Sequence, residues 1–283
     1  PEGERVVEGH RALAGLGLAD GYARGPGEGA QGLGGFRVED AATRHSLLAR
    51  AHLLLGNPGL ALEEIRKALA LEEESGHKAY GTPLVEGQAL LQLGRYEEAM
   101  ASFREALARA DAGERPHVLH EMGVAALDHG AYPEAEEHLR ALVREEGYPY
   151  LAQAYADLAE ALYRQGRYQE AEAAAREAVA RGAVAAGELV LGHVAYDLLH
   201  LEEALEHYRK AAESAEEGSR EWVGAQEMVV DTLAQLGYRF PEEMVRRGQA
   251  VLPYLHPADE WHAALTAYVE RAQALLREGK RLN

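Results

Sequence analysis

With 283 residues, 47% hydrophobic but only 7% aromatic, the chain has ample apolar material. Much of it is alanine, which suits many thin helix–helix contacts better than one thick centre. Twenty-nine basic against forty-seven acidic residues leave a formal net charge of −18, which repels a phosphate backbone and argues against general nucleic-acid binding. There is no cysteine, so disulfides, thiolate metal sites and cysteine nucleophiles are excluded, and no apolar run is long enough to span a membrane.

The opening PEGERVVEGH lacks the charged-then-apolar design of a signal peptide, and a cytoplasmic location is the expectation. Basic residues are mostly arginine, with lysine only at 67, 78, 210 and 280, a composition that points to a GC-rich bacterial source. Residues 1–40 form a poorly defined N-terminal part. A helix is expected at about 4–24 on Val7, Leu13, Leu16 and Leu18, weakened by Gly15 and Gly17. A glycine-rich loop follows. In it Gly27, Gly29 and Gly32 have the spacing of a dinucleotide fingerprint, but no strand precedes them, so helix amides are not presented to a phosphate there.

From about 39 to 218 amphipathic helices alternate with short turns. Residues 87–109, GQALLQLGRYEEAMASFREALAR, and 159–181, AEALYRQGRYQEAEAAAREAVAR, repeat one pattern of helix, Gly-Arg-Tyr turn and second helix. Gly56, Gly94, Gly130 and Gly166 mark four such turns, spaced 38, 36 and 36 residues apart. At each, a helix must end in a left-handed residue that glycine adopts cheaply. Five residues past each glycine stand Ala61, Ala99, Ala135 and Ala171, and seven before it Ala49, Gly87, Gly123 and Ala159. Small residues there let paired helices approach closely. Ala68, Ala106 and Ala178 recur in the second helices, with Leu142 as the exception. SGHKA at 75–79 reads as a slightly long link, and LGYRFPEE at 236–243 as a longer turn. Pro253 and Pro257 precede a last helix at about 258–279, with Trp261, Leu265, Tyr268, Ala272, Leu275 and Leu276 at helical spacing.

A fixed period in this range signals an array of stacked helix pairs. The positions of the small residues and of the turn glycine resemble the tetratricopeptide repeat family. The resemblance implies an all-α, right-handed α-solenoid (superhelix) of helix-turn-helix repeats. It places about six units across 41–256, at 42–75, 80–113, 116–149, 152–184, 185–218 and 223–256, and a C-terminal capping helix at 257–283. Leu199 replaces the turn glycine of unit five, which keeps Gly192, Ala204, Tyr208 and Ala211. Unit six keeps Gly237 without the alanine after it, and Pro58 stands where later units have Tyr96, Tyr132 and Tyr168.

The resemblance also implies a concave groove lined by the first helix of each unit. Its lining residues are Ser46, Arg50 and Leu53 in unit one, then Leu84, Gln88, Leu91 and Gln92 in unit two. Unit three gives His117, His120, Val124, Leu127 and Asp128, and unit four gives Gln153, Glu160, Tyr163 and Arg164. Unit five gives Leu189, His193, Tyr196 and Asp197, and unit six gives Glu227 and Asp231. Leu91, Leu127, Tyr163 and Tyr196 form an expected exposed apolar patch, the mark of a partner site. The clamp by which some of these repeats hold the acidic tail of a chaperone is disfavoured, since Ser46, Arg50, Gln88 and His120 stand at its places and only Arg50 could donate.

Thirteen histidines raise the question of metal, and His117, His120 and Glu121 cluster, but no HExxH motif or second ligating segment is present. His200 and His207 read as surface residues. Glutamate pairs at 63/64, 97/98 and 202/203 read as helix-start residues that complement the dipole. No nucleophile elbow occurs. The expected function is a non-enzymatic protein–protein interaction scaffold, without cofactor or metal, that holds a partner peptide or helix in the groove. A ligand-sensing or effector module of a larger bacterial regulator is the alternative. The last helix is expected to cap the array, or to associate with a second copy of the chain.

Overall fold

The computed structural model describes residues 38–282, with side chains over 41–279. The helix expected at 4–24 and the glycine-rich loop lie outside the described residues. Among the described residues the chain is all α-helical and built of consecutive helix pairs, as the periodicity predicts. Contacts among the described residues divide them into two compact units, one up to residue 125 and one from residue 126.

In the first unit, α1 (Val38–Leu54) pairs with α2 (Pro58–Ser75), and α3 (Gly81–Gln92) pairs with α4 (Tyr96–Arg109). Helix α5 (Arg115–His129) starts in this unit and ends in the next. The second unit continues with α6 (Tyr132–Leu142), α7 (Leu151–Arg164), α8 (Tyr168–Ala180), α9 (Val184–Asp197), α10 (Leu201–Ser214), α11 (Arg220–Gln235) and α12 (Pro241–Val251). A 3₁₀ turn (Leu252–Tyr254) leads to the last helix, α13 (Glu260–Leu282). Within this unit each helix packs on the next, and α7, α9, α11 and α13 also touch in succession. First helices are thereby laid side by side. Among the described residues no helix is long and apolar enough to cross a membrane.

The turns follow from single residues. Gly56, Gly94, Gly130 and Gly166 have φ of 72, 72, 81 and 72°. At Gly94 the chain closes the helix with Gly94 N–H donating to Leu91 O (2.9 Å) and Arg95 N–H to Leu90 O (2.9 Å), which satisfies carbonyls the helix leaves open. Leu199 makes the same closure, with its N–H on Tyr196 O (2.9 Å) and that of His200 on Ala195 O (2.9 Å), at a φ of 61°. The geometry survives the loss of glycine because the paired helices dictate it. At 236–243 Gly237 keeps the left-handed place (φ 75°), and Tyr238 follows it at φ 60°.

Close packing explains the small residues. A Cβ on Gly87 would lie 2.4 Å from Phe103 Cε1, and one on Gly192 would lie 2.5 Å from Tyr208 Cε1, so an aromatic of the second helix fills the volume a side chain would take. Ala49, Ala61, Ala68, Ala99, Ala106, Ala135, Ala159, Ala171, Ala178, Ala204 and Ala211 are all fully buried. Leu142 is the larger residue because α6 ends there, earlier than its counterparts, and its buried side chain closes the pair. Helix α13 buries Leu265, Val269 and Ala272 against α11 and α12. Val269 occupies the space beside Gly248, where a Cβ would stand 2.3 Å away.

One expectation is corrected. Glu63 and Glu64 do not open a helix but sit well inside α2, where Glu64 accepts from His45 Nδ1 (2.6 Å) and Lys67 Nζ (2.6 Å). Glu97, Glu98, Glu202 and Glu203 do lie in first turns.

Candidate partner-binding face

In the first unit the expected groove residues come from α1, α3 and the start of α5. Arg50 is exposed, with its guanidinium over Gly81, where a Cβ would meet Nη2 at 3.0 Å. It borders a cleft of about 500 Å³ whose walls include Ser46, Glu72, His77 and Thr82. Glu72 is buried there, accepting from Thr82 Oγ1 (2.5 Å) and Arg109 Nη1 (2.8 Å). Gln88 Nε2 donates to Glu121 Oε2 (3.1 Å), which ties α3 to α5 and gives the carboxylate of the histidine cluster a structural partner. Leu53, Leu91, His117 and His120 are half-buried, and Val124 is 38% exposed. Leu84 is only 4% exposed and packs into the interior of its helix pair rather than lining a groove. Among the described residues no group of three or more His, Asp or Glu side chains is placed to hold a metal ion.

The second unit carries the more organised face. The twelfth residue of one unit meets the ninth of the next. Tyr163 stacks on His193 (centroids 5.5 Å apart, 23° between planes), and Tyr196 donates its hydroxyl to Asp231 Oδ2 (2.5 Å). Tyr163 also stacks on Tyr168 at 6.0 Å. Tyr168 donates to Asp197 Oδ2 (3.0 Å), and Tyr163 hydrogen-bonds the same carboxylate. His193 Nδ1 pairs with the Tyr208 hydroxyl at 2.8 Å, and Tyr268 of α13 donates to Asp231 Oδ1 (3.2 Å). Two carboxylates, Asp197 and Asp231, are thus each held by a pair of tyrosines.

The electrostatics follow from this arrangement. Burial, with Asp197 and Asp231 adding, pushes the hydroxyls of Tyr163 and Tyr196 well above the ordinary phenol range, so they remain neutral donors. Burial lowers the His193 imidazole and keeps it neutral. Burial and the neighbouring Asp259 raise the Glu227 carboxyl. Glu160 accepts from Arg164 Nε at 2.7 Å, and Asp128, exposed, lies 3.8 Å from Arg220. Leu127 is half-buried.

The tyrosines expected as an exposed apolar patch are therefore half-buried members of a hydrogen-bonded ladder. His207, read as a surface residue, is half-buried with Nδ1 2.6 Å from Glu188 Oε2. Position counting placed Tyr163, His193, Tyr196 and Asp197 in one region but missed Tyr168, Tyr208 and Tyr268. The first two lie in or beside second helices, and the third was read as an apolar rung of the cap. The signal available was the recurrence of tyrosine and aspartate at neighbouring positions of successive units.

Models of the tetratricopeptide repeat match residues 85–112 and 120–186. Among solved structures, PilF of Pseudomonas aeruginosa is similar with a TM-score of 0.63 at 16% identity, over 81% of this chain and 98% of that one. PilW, a widely conserved type IV pilus biogenesis factor, is similar at 0.60 and 17%, over 80% and 98%. MamA of Desulfovibrio magneticus RS-1 is similar at 0.53 and 23%, over 62% and 95%. No curated protein matches.

Proposed function

Because this chain is a tetratricopeptide-repeat protein, we propose that it is a non-enzymatic interaction scaffold. In this proposal the face formed by α7, α9 and α11 docks a peptide or helix of a partner protein. The observation that carries the proposal is the ladder Tyr163–His193 and Tyr196–Asp231, repeated between successive helix pairs. Tyrosines in this setting offer large, rigid, amphipathic contact area that loses little freedom on binding, which is the composition of energetic hot spots. Their hydroxyls are already held by carboxylates, so the face is organised before a partner arrives.

Selection of binders from a random displayed peptide library, followed by amide exchange on the complex, tests this directly. Protection over 160–164 and 193–197 is expected, with Tyr163→Ala and Tyr196→Ala each weakening the selected peptide by tenfold or more, on the order of 1.4 kcal/mol. Binders that protect only other surfaces and are indifferent to both substitutions refute it.

A further inference from the structure

The partner's chemistry can be read from how the carboxylates of the second unit are neutralised. Several of those away from the ladder meet cations. Glu136 accepts from Arg140 Nε (2.7 Å) and Arg167 Nη1 (2.6 Å), Glu243 from Arg209 (2.5 Å) and Arg247 (2.7 Å), and Glu206 from Lys210 (3.0 Å). On the ladder face, among the described residues, Glu160 has a close cation, Arg164, and Asp128 the more distant Arg220. Asp197 and Asp231 are satisfied by tyrosine hydroxyls, which supply hydrogen bonds but no positive charge. Glu227 has no cation among the described residues and sits beside a further acid, Asp259.

Asp197 and Asp231 are thus hydrogen-bonded but pair with no cation among the described residues, in a chain of net charge −18. Rings of this unit already accept guanidinium: Arg181 lies over Tyr155 at 4.9 Å and Arg209 over Phe240 at 5.3 Å. Charge complementarity and cation–π attraction select the same occupant. We propose that the face takes a partner segment bearing lysine or arginine, its cations seated beside Tyr196 and against the exposed Asp197, with the buried Asp231 adding negative charge behind them. The proposal rests on this face being the docking surface.

The test uses the full chain and three labelled peptide pools of about twelve residues, matched in leucine and alanine and differing only in basic, neutral or acidic side chains, a length that spans the helix-in-groove mode. Fluorescence anisotropy is expected to show binding of the basic pool, weakened roughly tenfold or more between about 0.05 and 0.5 M salt. Asp197→Asn, which keeps the acceptor for Tyr168 and removes the charge, is expected to weaken that binding severalfold. Glu206→Gln removes the same charge from an exposed site off the ladder and is expected to leave it unchanged. Equal weakening by both substitutions would mean only general attraction to an acidic chain and would overturn the proposal. Neutral or acidic peptides binding the same residues as tightly would also overturn it, while leaving the docking surface intact. If exchange protection lies off this face for every pool, the docking surface itself falls, and the proposal with it.

Discussion

Leu199 occupies the left-handed turn that glycine fills in five other helix pairs, with φ of 61° and its side chain 79% exposed. An L-residue pays about 1–2 kcal/mol for that conformation, and an exposed leucine recovers little of it by burial. Leu199→Gly is therefore expected to stabilise the protein by about 1 kcal/mol, less the entropy glycine adds to the unfolded chain. A thermal melt checks this, and the midpoint should rise. His193 makes a second residue-scale prediction. Burial depresses its folded pKa below the usual 6.5, with Glu160 and Asp197 pulling upward and Arg164 downward. The unfolded chain then binds the proton first, so stability is lost as pH falls through 6.5 and levels off below the folded pKa. Denaturant unfolding at pH 7.5 and 5.5 should show this loss, and His193→Phe, which keeps the stacked ring, should shrink it.

At the scale of the element, the turns and helix pairs were legible because each rests on a local rule. A glycine ends one helix, a small residue admits its neighbour, and an apolar stripe follows at a 3.6-residue period. Gly192 was legible as small, but its reason was not: Tyr208 lies across it, a pairing between residues sixteen apart in sequence that no local pattern specifies. Gly192→Ala is expected to force that ring aside and cost about 1–3 kcal/mol, with loss of the His193 hydrogen bond if the hydroxyl moves. A urea midpoint measures the cost. The ladder was half legible for the same reason. Tyr163, His193 and Tyr196 followed from position counting along first helices, whereas Tyr268 and the burial of Leu84 depend on how the next pair packs. Glu63 and Glu64 were misplaced because the proline at the start of α2 sets the helix onset several residues earlier.

At the scale of the whole molecule, α13 covers the helix pair before it. A stacked helix pair leaves an apolar flank that the next pair would cover, and a terminal element must close it. Here α13 covers the flank of the α11–α12 pair, with Leu265, Val269 and Ala272 buried against a cluster that includes Val229, Val230, Met244 and Val251. Tyr268 fastens the same helix to Asp231, so α13 also joins the tyrosine–aspartate ladder. Deleting residues 258–283 should uncover this cluster and leave Asp231 with one donor fewer. Each fully buried aliphatic side chain lost contributes roughly 1.5–3 kcal/mol, so the truncated chain should melt earlier and aggregate. Light scattering on the intact and truncated proteins checks this. A truncated chain that stays soluble and monomeric, with unchanged melting, would mean that α13 is not the cap. Conversion of an intact dimer into a soluble monomer would mean instead that the helix reaches a second copy, as an amphipathic helix in a groove can.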